Sequence, residues 1–176
     1  VDLARRAVAA AASSQVPPDP TTLAAERGVA LSPRLLAPRG AFVTLTNGGQ
    51  LRGCIGYIEG IEPLVAAVVD NAASAAVRDP RFAPVRPEEV AELDLEVSAL
   101  TPLRPVRGPG EIELGRHGIV LGRGGRRAVF LPQVPGEQGW DLATTLDHLA
   151  LKAGLPAGAW REGAEFQVFE AEICHR

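Results

Sequence analysis

The sequence predicts an α+β chain, with helices packed against an antiparallel or mixed β-sheet, and three stretches carry that prediction. Ala41 to Tyr57 reads as a β-hairpin, because two runs of strand formers flank the turn signal Asn47-Gly48-Gly49. A helix follows from Pro63, with Leu64, Val68, Ala72 and Ala76 at helical spacing and Val65 and Val69 widening the stripe, so it is expected to pack on the sheet. Leu93 to Ala99 alternates apolar and polar residues, as a half-buried strand does.

Taken in order, residues 2–12 form a helix, with Asp2 placed as its N-cap and Leu3, Ala7, Ala10 and Ala11 on one face. Pro17, Pro18 and Pro20 impose an extended connection, and Thr22 to Arg27 forms a short helical turn closed by Gly28. In the hairpin the core-facing set is Val43, Leu45, Leu51 and Ile55, which leaves Cys54 on the other face. The long helix stops at Arg78-Asp79-Pro80-Arg81-Phe82, because the residue before a proline is pushed out of helical geometry. Pro87 to Glu92 is a short helix with acidic residues where its dipole favours them.

Residues 101–110 are too rich in proline and glycine for regular structure and mark a linker to a smaller lobe, within about 101–140. Short strands are expected at Ile112 to Leu114, Ile119 to Leu121 and Ala128 to Leu131. Gly122 to Arg127 turns between the last two, either as a phosphate cradle or as an exposed hairpin tip. A loop from Gln133 to Trp140 precedes a helix capped by Asp141, with Leu142, Leu146, Leu149 and Ala153 inward and Gly154 at its end. Glu165 to Ile173 is a closing strand that returns to the main sheet.

At 176 residues the chain has enough length to bury a core as one domain, and 46% hydrophobic with 22% charged residues is ordinary for a globular protein. No apolar run is long enough to span a bilayer, and no signal-peptide pattern opens the chain. A formal net charge of -3 argues against nucleic-acid binding. Two cysteines make no disulfide framework, so a reducing cytoplasm is the simplest setting. Walker loop, nucleophile elbow, HExxH and CxxCxxC patterns are missing, Cys174-His175 is a poor metal motif, and no cofactor or metal is called for.

The chemistry gathers at Leu51-Arg52-Gly53-Cys54-Ile55-Gly56. In an extended strand Arg52, Cys54 and Gly56 share one side, so a guanidinium stands beside a thiol, while Gly53 and Gly56 leave room for a close approach to the backbone. The bland alternative is a small core cysteine with glycines that mark a bulge. Arg78 and Arg81, displayed at the helix break, either bind an anion or pair with Asp79 in a solvated turn. His117, between Gly115-Arg116 and Gly118, is either an acid/base group or a turn histidine with a hydrogen-bonding role. Gln133, Glu137 and Gln138 either line a polar pocket beside Trp140 or lie on a solvated connection. Glu96 is expected to face solvent.

Gly40 to Leu45, Leu51 to Gly56, Arg78-Asp79-Pro80-Arg81-Phe82, Glu96-Val97-Ser98, His117-Gly118, and Leu131-Pro132-Gln133-Val134 through Gly139-Trp140-Asp141, in this order, resemble the AMMECR domain family. Its prokaryotic members are called AmmeMemoRadiSam system protein A. The resemblance spans essentially the whole chain and implies an α+β fold with a larger lobe built from both chain ends and a smaller one. It also implies a shared pathway with a Memo-like protein and a radical S-adenosylmethionine enzyme, without supplying a reaction.

Two readings follow. The chain is an enzyme or enzyme component acting on a small anionic substrate or a radical-derived product, with Cys54 as nucleophile or acceptor, Arg52 as its electrostatic partner, His117 as acid/base, and Glu137 or Gln138 orienting that base. Alternatively it is a non-catalytic module that binds an anion through Arg52, Arg78 and Arg81 or docks those partners. A purely structural domain with an inert Cys54 is the third possibility.

Overall fold

The computed structural model describes every residue except Arg27, Val29 and Arg176. The chain divides into two compact units, one made of Val1–Leu100 with the chain end from Glu172, the other of Thr101–Ala171. Each has its own four-stranded sheet and its own apolar core, an α+β architecture. The second unit starts where the proline-rich linker was expected but runs on to Ala171, well past residue 140. Among the described residues no helix is long and apolar enough to cross a membrane.

The first unit begins with α1 (Asp2–Ala12), α2 (Pro20–Glu26) and α3 (Pro33–Leu36). The hairpin β1 (Ala41–Asn47) and β2 (Gln50–Tyr57), then α4 (Leu64–Val77) and β3 (Leu93–Leu100), complete most of it. The helical turn expected at 22–27 is part of α2, and its last position, Arg27, lies outside the described residues. Asp2 is the first residue inside α1 rather than its cap; Ala4, Ala7 and Val8 are buried, and Leu3 and Ala11 of the expected stripe pack partly buried against the same core. Arg5 fastens that helix through its guanidinium to the carbonyls of Val90 (3.2 Å) and Leu93 (2.9 Å).

The hairpin turns at Gly48 and Gly49, both at positive φ, which favours glycine. A β-bulge follows. Leu45 pairs with Gly53 but Thr46 with Leu51, so Arg52 is the extra residue of β2. Leu51 therefore lies on the face of Thr46 instead of the core face, and it is 43% exposed. The expected core set is corrected accordingly to Ala41, Val43 and Leu45 with Ile55 packed against them. α4 covers this face, buried on nearly every side, and Asn71 Nδ2 donates to the Ala41 carbonyl at 3.1 Å. Each fully buried leucine here contributes about 2 kcal/mol.

The second unit holds β4 (Arg104–Val106), β5 (Gly118–Arg123), β6 (Arg126–Phe130), α5 (Val134–Gln138), α6 (Leu142–Lys152) and β7 (Glu165–Phe169). Its sheet order is β4-β7-β5-β6. The stretch expected to lack regular structure thus contains β4, with Pro105 tolerated because the strand is at the sheet edge. Ile112 to Leu114 forms no strand, the turn beginning at Leu114, and the 133–140 loop contains α5, closed by Gly139 in the left-handed conformation. Asp141 caps α6 as expected, accepting from the Thr144 N–H at 2.8 Å.

The closing strand is two strands. β7 stays in the second sheet, and only β8 (Ala171–His175) joins the first, in the order β2-β1-β3-β8. The break falls at Glu170, whose carbonyl accepts from the Thr101 N–H (2.9 Å) and whose N–H donates to Thr101 Oγ1 (2.8 Å).

Candidate functional site around Cys54

β2 is an edge strand, and Cys54 lies directly opposite Thr44 of β1. Its N–H and C=O point away from the hairpin and take side-chain partners instead. Asp79 Oδ2 accepts the Cys54 N–H at 2.9 Å, and Arg81 Nη2 donates to the Cys54 carbonyl at 3.2 Å. Asp79 is free to do this because α4 ends at the Asp79-Pro80 step and the chain turns back onto the strand. Arg81 in turn grips Asp79, Nε to Oδ1 at 2.9 Å and Nη2 to Oδ2 at 2.7 Å, and its own N–H reaches Oδ1 at 3.1 Å.

Asp79 is 5% exposed, and the Arg81 side chain beside it holds its carboxyl far below the usual range. The main-chain N–H of Cys54 adds to that effect against the cost of burial. The Arg81 guanidinium is raised by Asp79 in the first place, with a further contribution from the Cys54 side chain. Arg81 is thus the arginine whose guanidinium reaches Cys54, through its carbonyl.

The sulfur itself lies on the sheet face opposite α4. Thr44 Oγ1 donates to Cys54 Sγ at 3.4 Å. Thr44 also faces Glu96 of β3 on its other side, so a thiol, a hydroxyl and a carboxylate occupy one row across three strands. The next row is Gly56, Phe42 and the buried Ser98.

Other expected site residues have different positions. Arg52, displaced by the bulge, sends its guanidinium to the carbonyls of Ala83 (2.8 Å) and Pro84 (3.4 Å) and to Glu89 (3.3 Å) instead of to the thiol beside which it was expected, and it is Arg81 that reaches Cys54, at its carbonyl. Gly53 does not open the backbone to a ligand, since a Cβ there would collide with the Ala75 carbonyl of α4. Gly56 is likewise filled by the protein, its missing side chain occupied by the Phe42 ring and the Ala41 carbonyl. Arg78 is separate from this cluster, reaching Ser74 Oγ at 3.5 Å and Asp70 at 4.0 Å.

The remaining candidates belong to the second unit. His117 is buried in a turn, where its Nδ1 accepts the Glu113 N–H at 3.0 Å. Gln133 precedes α5, and its Oε1 is buried with no hydrogen-bond partner among the described residues. Glu137 and Gln138 are exposed on α5. Trp140 is half-buried between Phe130, ring centroids 5.9 Å apart, and exposed His148, on which it stacks with centroids 4.1 Å apart and planes 7° from parallel. Among the described residues no three His, Cys, Asp or Glu side chains are grouped to hold a metal.

Sequence reading missed Thr44, the buried role of Asp79, and the position of Glu96 in the Cys54 row. The first two were within reach, because a hairpin turn constrains its register and an Asp-Pro step after a helix predicts a free carboxylate. The bulge was not.

Comparison with known proteins matches residues 1–174 to AMMECR1. A protein of Methanopyrus kandleri is 51% identical over 150 residues, covering 80% of this chain and 72% of that protein. One of Methanosarcina barkeri is 42% identical over 178 residues, 98% and 86% of the two. Among solved structures, a protein of Pyrococcus horikoshii superposes with a TM-score of 0.88 at 38% identity, covering all of this chain and 89% of that one.

Proposed function

We propose, from the premise that the chain belongs to the AMMECR1 family, that it is an enzyme or enzyme component acting on a small anionic substrate through the Cys54 thiol. One observation carries the reading: a half-buried free thiol on the sheet face opposite α4, hydrogen-bonded by Thr44, on a residue whose carbonyl holds the Arg81 guanidinium. Thr44 restrains the sulfur, and Arg81, with 54% of its side chain exposed, supplies the charge that draws an anionic electrophile to it. We place the chain in the setting its family resemblance implies, beside a Memo-like protein and a radical S-adenosylmethionine enzyme. The alternative, anion binding by Arg52, Arg78 and Arg81 together, has less support because the three do not converge: Arg52 is directed to Ala83, Pro84 and Glu89, Arg78 to Ser74 and Asp70, and only Arg81 reaches Cys54.

The test compares alkylation of Cys54 by iodoacetate and by iodoacetamide, read by mass spectrometry and normalised to a free cysteine derivative. The anionic reagent should gain about threefold to tenfold at Cys54 at low salt. That preference should persist in Arg81→Lys and vanish in Arg81→Gln. A Cys54 that reacts only on unfolding, or with the same ratio in all three proteins, removes the proposal.

A further inference from the structure

The helix-covered side of the first unit carries a cleft of about 540 Å³, distinct from the Cys54 face. Its walls include Leu23, Leu31, Leu35, Leu64, Val68 and Val97. Glu172 and Cys174 line it from β8, two residues apart and so on one side of that strand. Size and lining are those of a small-molecule site, in which an apolar wall supplies burial and a few polar groups set orientation.

Arg39, in the wall, has no carboxylate partner among the described residues. Arg39 Nε donates to the Leu100 carbonyl at 2.7 Å and its Nη2 to the Ala99 carbonyl at 3.4 Å, both neutral acceptors. Among the described residues Arg39 forms no ion pair, whereas Arg34, also on the cleft, is paired with Glu172 at 2.9 Å. The two carbonyls fix a half-buried guanidinium at the edge of apolar surface and leave its Nη1 outside both hydrogen bonds. A guanidinium held in this way matches a carboxylate.

We propose that this cleft binds an amphipathic carboxylic acid, its hydrocarbon part against the leucine and valine walls and its carboxylate on Arg39. The proposal is independent of the thiol chemistry above, since no residue of the Cys54 row lines the cleft.

The experiment uses decanoate as probe, decanol as its uncharged counterpart, and Cys174 as the reporter. Saturating decanoate should slow iodoacetamide labelling of Cys174 about tenfold and leave Cys54 unchanged. By calorimetry it should bind about tenfold more tightly than decanol. Arg39→Met should erase the advantage of the acid while decanol binds as before. Ala24→Phe, which fills the cleft from α2, should abolish protection of Cys174 in a protein that keeps its Arg39. Equal affinities for acid and alcohol in the wild type overturn the proposal, as does an acid preference that survives Arg39→Met. Protection that persists in Ala24→Phe overturns it too, and the wild-type comparison and Ala24→Phe decide the matter even if Arg39→Met fails to fold.

Discussion

Asp79 accepts the main-chain N–H of Cys54 at 2.9 Å, so the strand edge that presents the thiol is held by a carboxylate from the turn after α4. An edge strand normally leaves such groups to solvent or to another chain. Here one buried side chain and its arginine complete both polar atoms of a single residue.

Asp79→Asn should cost about 2 kcal/mol, less than a fully buried ion pair because Arg81 is half exposed. The folded carboxyl is held below its ordinary value, so its contribution is complete above the unfolded value and fades as pH falls below about 4. Melting temperatures of wild type and Asp79→Asn should thus differ by a constant amount from pH 8 to pH 5 and converge in acid. A gap unchanged down to pH 3 would show that the charge is not what stabilises.

Gly53→Ala should destabilise by about 3 kcal/mol or prevent folding, because the added methyl meets the Ala75 carbonyl and α4 has no slack against β2. Gly49→Ala, with open space but positive φ, should cost only about 1 kcal/mol. Denaturant midpoints of the two variants separate a packing role for Gly53 from a turn role.

Thr44→Val keeps the shape of the side chain and removes the hydroxyl that donates to Cys54 Sγ. Cys54 should then alkylate about threefold more slowly near neutral pH with stability little changed, and Thr44→Ser should restore the rate. Identical labelling rates in wild type and Thr44→Val would mean that this contact does not govern the sulfur.

His117→Leu strands the Glu113 N–H that the imidazole now accepts and should cost about 1–3 kcal/mol. His117→Asn offers an oxygen to the same N–H and should recover part of the loss. Faster hydrogen exchange at the Glu113 amide in His117→Leu, and not in His117→Asn, is the expected signature.

Residues close in sequence made much of this legible. The Asn47-Gly48-Gly49 turn, the α4 stripe, the alternation of β3 and the Asp141 cap each rest on local chemistry and appear where expected. The closing segment misled because Glu165 to Ile173 is strand-forming throughout, and only the Thr101–Glu170 pairing divides it between two sheets. Side-chain alternation placed Cys54 opposite the core-facing set, as the structure has it, but it put Arg52 beside Cys54, where the bulge turns that arginine to Ala83, Pro84 and Glu89.

The sequence by itself determined the class of fold, the family and the face of the hairpin on which Cys54 lies, because periodicity, turn chemistry and ordered motifs are properties of neighbours along the chain. Tertiary structure alone decided that Arg81 and not Arg52 reaches Cys54, that the glycines of the motif serve packing, and that Thr44 and Glu96 share the Cys54 row. The physical reason is the single extra residue at Arg52. A bulge breaks the alternation across it, so Leu51 and Arg52 leave the faces strict alternation gives them while Gly53 to Ile55 keep theirs, and no local pattern marks its position.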